Sequence, residues 1–202
     1  MIPRRIHRIW LGGPMPPEVA EYGQRWKELH PGWQVRTWRD WDLPALRHQV
    51  CFDLATTPAA SADIARLELL QRFGGLYVDT DAEPLRPFDP LLEESTCFLG
   101  REDDRWIATG VIGATPHHPF VNRLLDRLGR SVLSNPGAPP NEVSGPKFVT
   151  AVYAELPVSE RAHVTVYPPA YFYPYHFSEP DRASGPFPDA YAVHHWSHSW
   201  VE

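Results

Sequence analysis

The chain has 202 residues, 43% hydrophobic and 22% charged, with a formal net charge of -6. This is enough sequence for a sizeable core, and the composition is that of an ordinary globular protein. Nucleic-acid binding is not expected, since the acidic balance comes with no Lys/Arg-rich run and phosphate contacts need a positive surface.

No stretch approaches the roughly 18 apolar residues of a membrane span, and no apolar segment follows the basic start Met1-Ile2-Pro3-Arg4-Arg5. The expectation is a cytoplasmic protein with no transmembrane segment, peripheral attachment through a partner remaining open. Cys51 and Cys97 sit in apolar surroundings and read as buried small hydrophobes rather than a disulfide framework.

In chain order, Arg5–Trp10 suits a short buried strand, stopped by Leu11-Gly12-Gly13-Pro14. Pro17–His30 reads as a helix, because Val19, Tyr22, Trp26 and Leu29 recur at spacings of three and four. Trp33–Trp38 is a second strand, and a short helix follows near Leu43–Phe52. The clearest helix has Thr57 as N-cap, Pro58 at its first position, no breaker from Ala59 to Phe73, and Gly74-Gly75 as a left-handed stop. Leu76-Tyr77-Val78 is a strand that ends at Asp79. Further strands are expected at Cys97–Gly100 and Gly110–Gly113, then a helix at Phe120–Leu133 with Val121, Leu124, Leu125 and Leu128 inward. After a Pro/Gly/Asn loop at 135–141 come a helix near Pro146–Leu156 and strands at His163–Tyr167 and Tyr191–His194. Strands alternating with helices imply one α/β sandwich over residues 1–202 with a largely parallel sheet.

Asp79-Thr80-Asp81 places two carboxylates where a buried strand runs out, and ligands collect beyond the carboxyl ends of strands in such sheets. Packed carboxylates repel unless a cation or donors offset them. A hard divalent ion such as Mn²⁺ or Mg²⁺ would do so and would also hold a diphosphate. Asp63 and Arg66 share a face of the preceding helix at i, i+3, and that helix feeds straight into the acidic strand. The alternative is a solvated Asp-rich turn with a surface ion pair.

The run from Ser61-Ala62-Asp63-Ile64-Ala65-Arg66 through Gly74-Gly75-Leu76-Tyr77 to Asp79-Thr80-Asp81 resembles the DXD-containing sugar-binding region of glycosyltransferase family 32. That family includes yeast-type α-1,6-mannosyltransferases, bacterial capsule transferases and relatives of clostridial glucosylating toxins. Ile2–Gly13 is similar to its opening strand, His194–Trp200 to its closing motif, and Val143-Ser144-Gly145-Pro146 to a weaker signature. The resemblance implies a GT-A fold (a Rossmann-like α/β/α sandwich) and a retaining hexosyltransferase with a UDP- or GDP-linked sugar donor, Mn²⁺ or Mg²⁺, and a glycan or small-molecule acceptor. Residue by residue it implies that Trp10, flanked by Ile9 and Leu11, stacks on the base. Asp63 and Arg66 would hold donor-sugar hydroxyls with Tyr77 close by, Asp79 would contact the ribose and sugar or the metal through water, and Thr80 and Thr109 would also line the site. Asp81 would ligate the metal together with His195 from the closing motif, and Ser199 and Trp200 would reach the diphosphate. His198 is a further candidate ligand, although relatives carry small residues there. Thr109-Gly110 also departs from the family, many of whose members have Asn. Zinc on His194, His195 and His198 is the lesser option, because no thiol or further histidine nearby completes a tetrahedral set.

No second carboxylate is evident for a covalent double displacement, so same-face attack is expected. Glu102 and Asp103 could meet an acceptor, but nothing in their spacing argues for that role. The competing expectations are a metal-dependent nucleotide-sugar hydrolase and a noncatalytic nucleotide-sugar-binding protein.

Overall fold

A computed structural model describes residues 1–197. Its main sheet has six strands: β1 (Arg5–Ile9), β2 (Gln34–Trp38), β3 (Gly75–Val78), β5 (Cys97–Arg101), β6 (Ile107–Ala114) and β7 (Thr165–Tyr167), in the spatial order β2-β1-β3-β6-β5-β7. Only β6 runs against its neighbours, so the other five strands share one carboxyl edge.

Side chains alternate across this sheet with a period of two, as the pleat requires. Tyr77, Leu99 and Ile112 face one apolar cluster, and Leu76, Val78, Phe98 and Val111 face another. Helices α3 (Pro58–Phe73), α5 (Pro119–Ser134) and α7 (Pro146–Ala154) supply the first cluster. The second takes Trp26 from α1 (Pro17–Leu29) and Leu91 and Leu92 from α4 (Asp89–Glu94). The result is the expected α/β/α sandwich. No helix among the described residues is long and apolar enough to cross a membrane. Both cysteines are buried and unpaired.

Several elements differ from the sequence reading. The helix expected near 43–52 forms only as α2 (Gln49–Leu54), after a turn. The strand expected at 110–113 extends back to Ile107. The 135–141 loop runs into a short helix, α6 (Pro140–Val143), and another short helix, α8 (Val158–Arg161), precedes β7. The last strand, β8 (Ala192–His194), does not join the main sheet. It pairs antiparallel with β4 (Ala82–Pro84), a three-residue strand just past Asp81, and so brings His194 beside the acidic loop.

Helix α3 is built as its caps predict. The Thr57 hydroxyl accepts from the Ala60 N–H at 3.2 Å. Gly74 and Gly75 take φ of 59° and 101°, a region that L side chains rarely enter. The turn is pinned by His7 on β1. The Trp38 indole N–H, a donor only, bonds His7 Nδ1 at 3.0 Å, so the proton sits on Nε2, which donates to the Gly74 carbonyl at 3.0 Å. Burial lowers the His7 pKa to about 4.

A folded-state pKa below the unfolded value of about 6.5 means stability is complete above pH 6.5 and lost as pH falls toward 4. The stability lost between pH 7 and pH 4 should therefore be larger in the wild type than in a His7→Gln variant, by up to roughly 3 kcal/mol, as measured by urea unfolding. Equal losses in the two proteins would remove His7 as the cause.

Candidate active site and metal centre

At the shared carboxyl edge lies a cleft of about 930 Å³, within the range of small-molecule and cofactor sites. Its walls come from the segments following parallel strands: Ile9, Trp10 and Leu11 at the end of β1, Asp79, Thr80 and Asp81 after β3, and Glu102 after β5. Because β6 is antiparallel, its beginning lies at the same edge and contributes Thr109 and Gly110. Asp63 and Arg66 enter from α3, and Tyr77 from β3. Every described residue expected to touch donor or metal lines this cleft, with the exception of His195.

Arg66 organises the floor. Its Nη2 lies 3.0 Å from Asp63 Oδ1 and 3.3 Å from Asp79 Oδ1, and its Nη1 donates to the Thr109 carbonyl at 2.7 Å. The guanidinium also lies 4.5 Å from the centre of the Tyr77 ring. Burial opposes its charge, but Asp79 and Asp63 outweigh that and raise its pKa. The other Asp63 oxygen accepts from the Ser144 hydroxyl at 2.9 Å, while burial pushes the Asp63 carboxyl upward against Arg66 and Ser144. This gives Ser144 of the weaker signature a definite task. Each Asp63 oxygen thus has one donor, Arg66 on one and Ser144 on the other.

The two carboxylates of the acidic loop are held in matching ways. Asp79 Oδ1 accepts from the Tyr77 hydroxyl at 2.7 Å, which turns Oδ2 toward His194. Asp81 Oδ2 accepts from both the backbone N–H and the hydroxyl of Ser197, each at 2.9 Å, which turns Oδ1 toward His194. His194 Nε2 is 3.3 Å from both free oxygens. All three ligand atoms lie within 4.8 Å of one another. Adjacent ligands of a six-coordinate Mg²⁺-sized ion, at about 2.1 Å from it, stand about 3 Å apart, so two carboxylates and an imidazole at this spacing fit a hard divalent cation. Burial would raise Asp79, yet Arg66, His194 and Tyr77 hold its carboxyl well below the usual range. Burial also opposes the His194 imidazolium, but Asp81 and Asp79 outweigh it and raise the pKa.

His195, expected as the ligand, is instead committed elsewhere. Its Nε2 bonds Glu83 at 2.8 Å, its Nδ1 lies 3.2 Å from the Tyr175 hydroxyl, and its ring stacks on Tyr22. Neighbouring residues at a strand end face opposite ways, so His194 and His195 cannot both reach the carboxylates. His198, Ser199 and Trp200 lie outside the described residues.

Sequence reasoning placed His194 only in a zinc cluster that it ranked second, and gave no site role to Tyr173, Trp196 or Gly110, all of which line the cleft. Gly110 matters for what it lacks. A Cβ there would stand 2.6 Å from Asp79 Oδ2 and 3.0 Å from the His194 ring. Glu102 is half-buried in the wall, and burial together with Asp103 pushes its carboxyl up to about 7. The Trp10 indole N–H, just past the end of β1, is buried with no partner among the described residues.

The sequence profile of the glycosyltransferase sugar-binding region containing a DXD motif matches residues 16–98. The match covers about two fifths of the chain, and this segment is similar to the sugar-binding region of DXD-containing glycosyltransferases. It is 28% identical over 144 residues to inositol phosphoceramide mannosyltransferase 1 of Schizosaccharomyces pombe, covering 64% of this chain and 43% of that protein. To human alpha-1,4-N-acetylglucosaminyltransferase it is 26% identical over 157 residues, covering 68% of this chain and 42% of the relative. The chain thus spans less than half the length of either relative. Its fold matches the UDP-bound glycosyltransferase domain of the YGT toxin with a TM-score of 0.61 at 13% identity, covering 82% of this chain and 79% of that one.

The space at position 110 has a measurable consequence. Gly110→Ala should displace Asp79 or His194 and weaken Mn²⁺ binding about tenfold, the lower end of what disturbing the groups that orient metal ligands costs. Wild-type Mn²⁺ affinity in the folded variant would show that the close approach is unimportant.

Proposed function

We propose that the protein is a retaining transferase that moves a hexose from a UDP- or GDP-sugar to a hydroxyl acceptor, with a divalent cation, Mn²⁺ by preference, held by Asp79, Asp81 and His194. The observation that carries this reading is the convergence of one free oxygen from each carboxylate on His194 Nε2. Charge supports it. Five carboxylates line the cleft (Asp63, Asp79, Asp81, Glu102 and Glu142) against two full-time cations among the described residues, Arg66 and Lys147. Both cations are already paired, Arg66 with Asp63 and Asp79 and Lys147 with Glu142. A nucleoside diphosphate would therefore meet net negative charge without an added cation. When bound, the cation supplies Lewis-acid stabilisation of the departing diphosphate.

The chain's own residues do the positioning. Trp10 offers a ring face to the base, and Arg66 with Asp63 forms a charged shelf for sugar hydroxyls. The order of strand ends sets the direction: base beyond β1, diphosphate beyond β3, and acceptor beyond β5, two strand spacings or about 10 Å further along the sheet. Glu102 stands at that third position. In this reading it accepts a hydrogen bond from the incoming hydroxyl, while the departing diphosphate receives the proton on the same face.

Two experiments test these roles. In a thermal-shift panel of UDP-glucose, UDP-galactose, UDP-N-acetylglucosamine and GDP-mannose, at least one donor should stabilise the protein only with Mn²⁺ present, by mass action. Asp81→Ala should abolish the shift, and turnover persisting in a strong chelator would refute the cation's role. Glu102→Gln should raise the KM for acceptor about tenfold, the loss of roughly one charged hydrogen bond, and leave donor KM unchanged. A sugar covalently attached to Glu102 in mass spectra of the working enzyme would instead establish double displacement.

A further inference from the structure

Arg8 lies on β1 beneath the acidic loop, and the site described so far does not use it. Its side chain is completely buried, at 0% exposure, yet it makes no ion pair among the described residues. Its Nη2 donates to the carbonyls of Thr80 at 2.8 Å and Val19 at 2.9 Å, and Nη1 reaches the Thr37 hydroxyl at 3.5 Å. Burial lowers the guanidinium to about 10, which leaves it a cation at neutral pH.

A buried guanidinium bonded only to neutral oxygens, with Asp81 acting on it from beyond ion-pair contact, is costly and would ordinarily be replaced by something apolar. The sequence makes a second concession to it. Gly23 sits inside α1, where glycine is unfavourable, and a Cβ at that position would stand 2.3 Å from Arg8 Nη1. Helix α1 thus gives up a side chain to leave room for this guanidinium. The atom it grips is the carbonyl of the residue between the two acidic ligands.

We propose that Arg8 is a positioning residue of the metal loop, holding the Thr80 carbonyl from beneath so that Asp79 and Asp81 are set toward His194 before a cation arrives. The planar fork is what suits it to this task. One nitrogen ties the loop to the carbonyl of Val19 in α1, and the other lies toward β2, so the loop is referenced to two elements at once. The inference rests on the cation site proposed above.

The test measures Mn²⁺ affinity directly, from the electron paramagnetic resonance signal of free Mn²⁺, on full-length wild type, Arg8→Met, Arg8→Lys and Gly23→Ala. Residues that orient metal ligands typically change affinity 10- to 100-fold when removed. Arg8→Met should weaken Mn²⁺ binding by about that factor, with a folded circular dichroism spectrum and a cooperative urea transition. Arg8→Lys should fall between wild type and Arg8→Met, because it keeps the charge and one donor but loses the fork. Gly23→Ala, which pushes on the guanidinium without removing it, should weaken binding about tenfold, and with Arg8→Lys it carries the test if Arg8→Met does not fold. Folded variants with wild-type affinity would overturn the proposal and reduce Arg8 to a strut between β1 and α1. A rise in affinity would also overturn it, by showing that the buried charge competes with the cation. A wild-type protein that binds no Mn²⁺ would sink the cation site itself, and this inference with it.

Discussion

The buried guanidinium of Arg66 is the interaction on which the site depends. Three acidic side chains from two elements, Asp63 on α3 and Asp79 and Asp81 beyond β3, meet at one sheet edge. Without compensation their charges would push the loop outward and protonate one or more of them. Arg66 touches two of the three and also fixes the Thr109 carbonyl, so it joins α3, the end of β3 and the start of β6. A buried ion pair of this kind adds little net stability over an apolar replacement. Its value lies in shape, because the guanidinium dictates which oxygen of Asp79 is occupied and which is left free.

That geometry follows from sequence order. Arg66 and Asp79 are 13 residues apart, connected by the last two turns of α3, the Gly74-Gly75 reversal and β3. With a rise of 1.5 Å per residue in the helix and about 3.3 Å in the strand, the chain runs back beside itself over a short distance, and this returns the strand's end to the level of Arg66. The reversal must therefore be tight. His7 secures it through the Gly74 carbonyl, while its other nitrogen holds the Trp38 indole. A histidine buried far from the chemistry thus sets the height at which Asp79 emerges.

How much of this the sequence disclosed depended on how local the signal was. Helix α3, with Thr57, Pro58 and Gly74-Gly75 at its ends, was legible because caps and breakers act on their own neighbours. Asp63, Arg66, Asp79 and Asp81 were legible because their spacing is short and lies on one continuous helix-strand unit. The choice between His194 and His195 was not. It depends on β8 pairing with β4, and β4 is three residues including Glu83 and Pro84, too short to show an alternating pattern. Register at such a strand decides which of two adjacent histidines faces inward, because a slip of one residue exchanges the faces. Glu102 was named, but its place could not be read for a similar reason. It follows β5, a strand that runs parallel to β1 and β3, and only the sheet order reveals that. Gly110 had no side chain to announce it.

On the proposed reading the charge pattern would couple donor and cation to each other. Asp81 has Ser197 and His194 as partners, and the carboxylates of the cleft would repel a diphosphate unless a cation stood between them. Asp79, Asp81 and His194 would offer an ion three protein ligands, fewer than a hard divalent cation takes, so a diphosphate would help to complete its shell. Each ligand would then improve the site for the other, and by linkage the gain in affinity would be equal in both directions. The chain's closing segment belongs to the same coupling. Ser197 holds Asp81 through two hydrogen bonds, and Trp196, at a positive φ of 52°, packs edge-on against His194 at 4.6 Å. A bulky residue in the left-handed region is strained. Here its position is fixed by contacts to a metal ligand on one side and by its indole N–H bonded to the Tyr175 carbonyl on the other. The segment that follows the last strand is thus tied to the acidic loop at both ligand residues, Asp81 and His194, and any change in how they are held must pass to it.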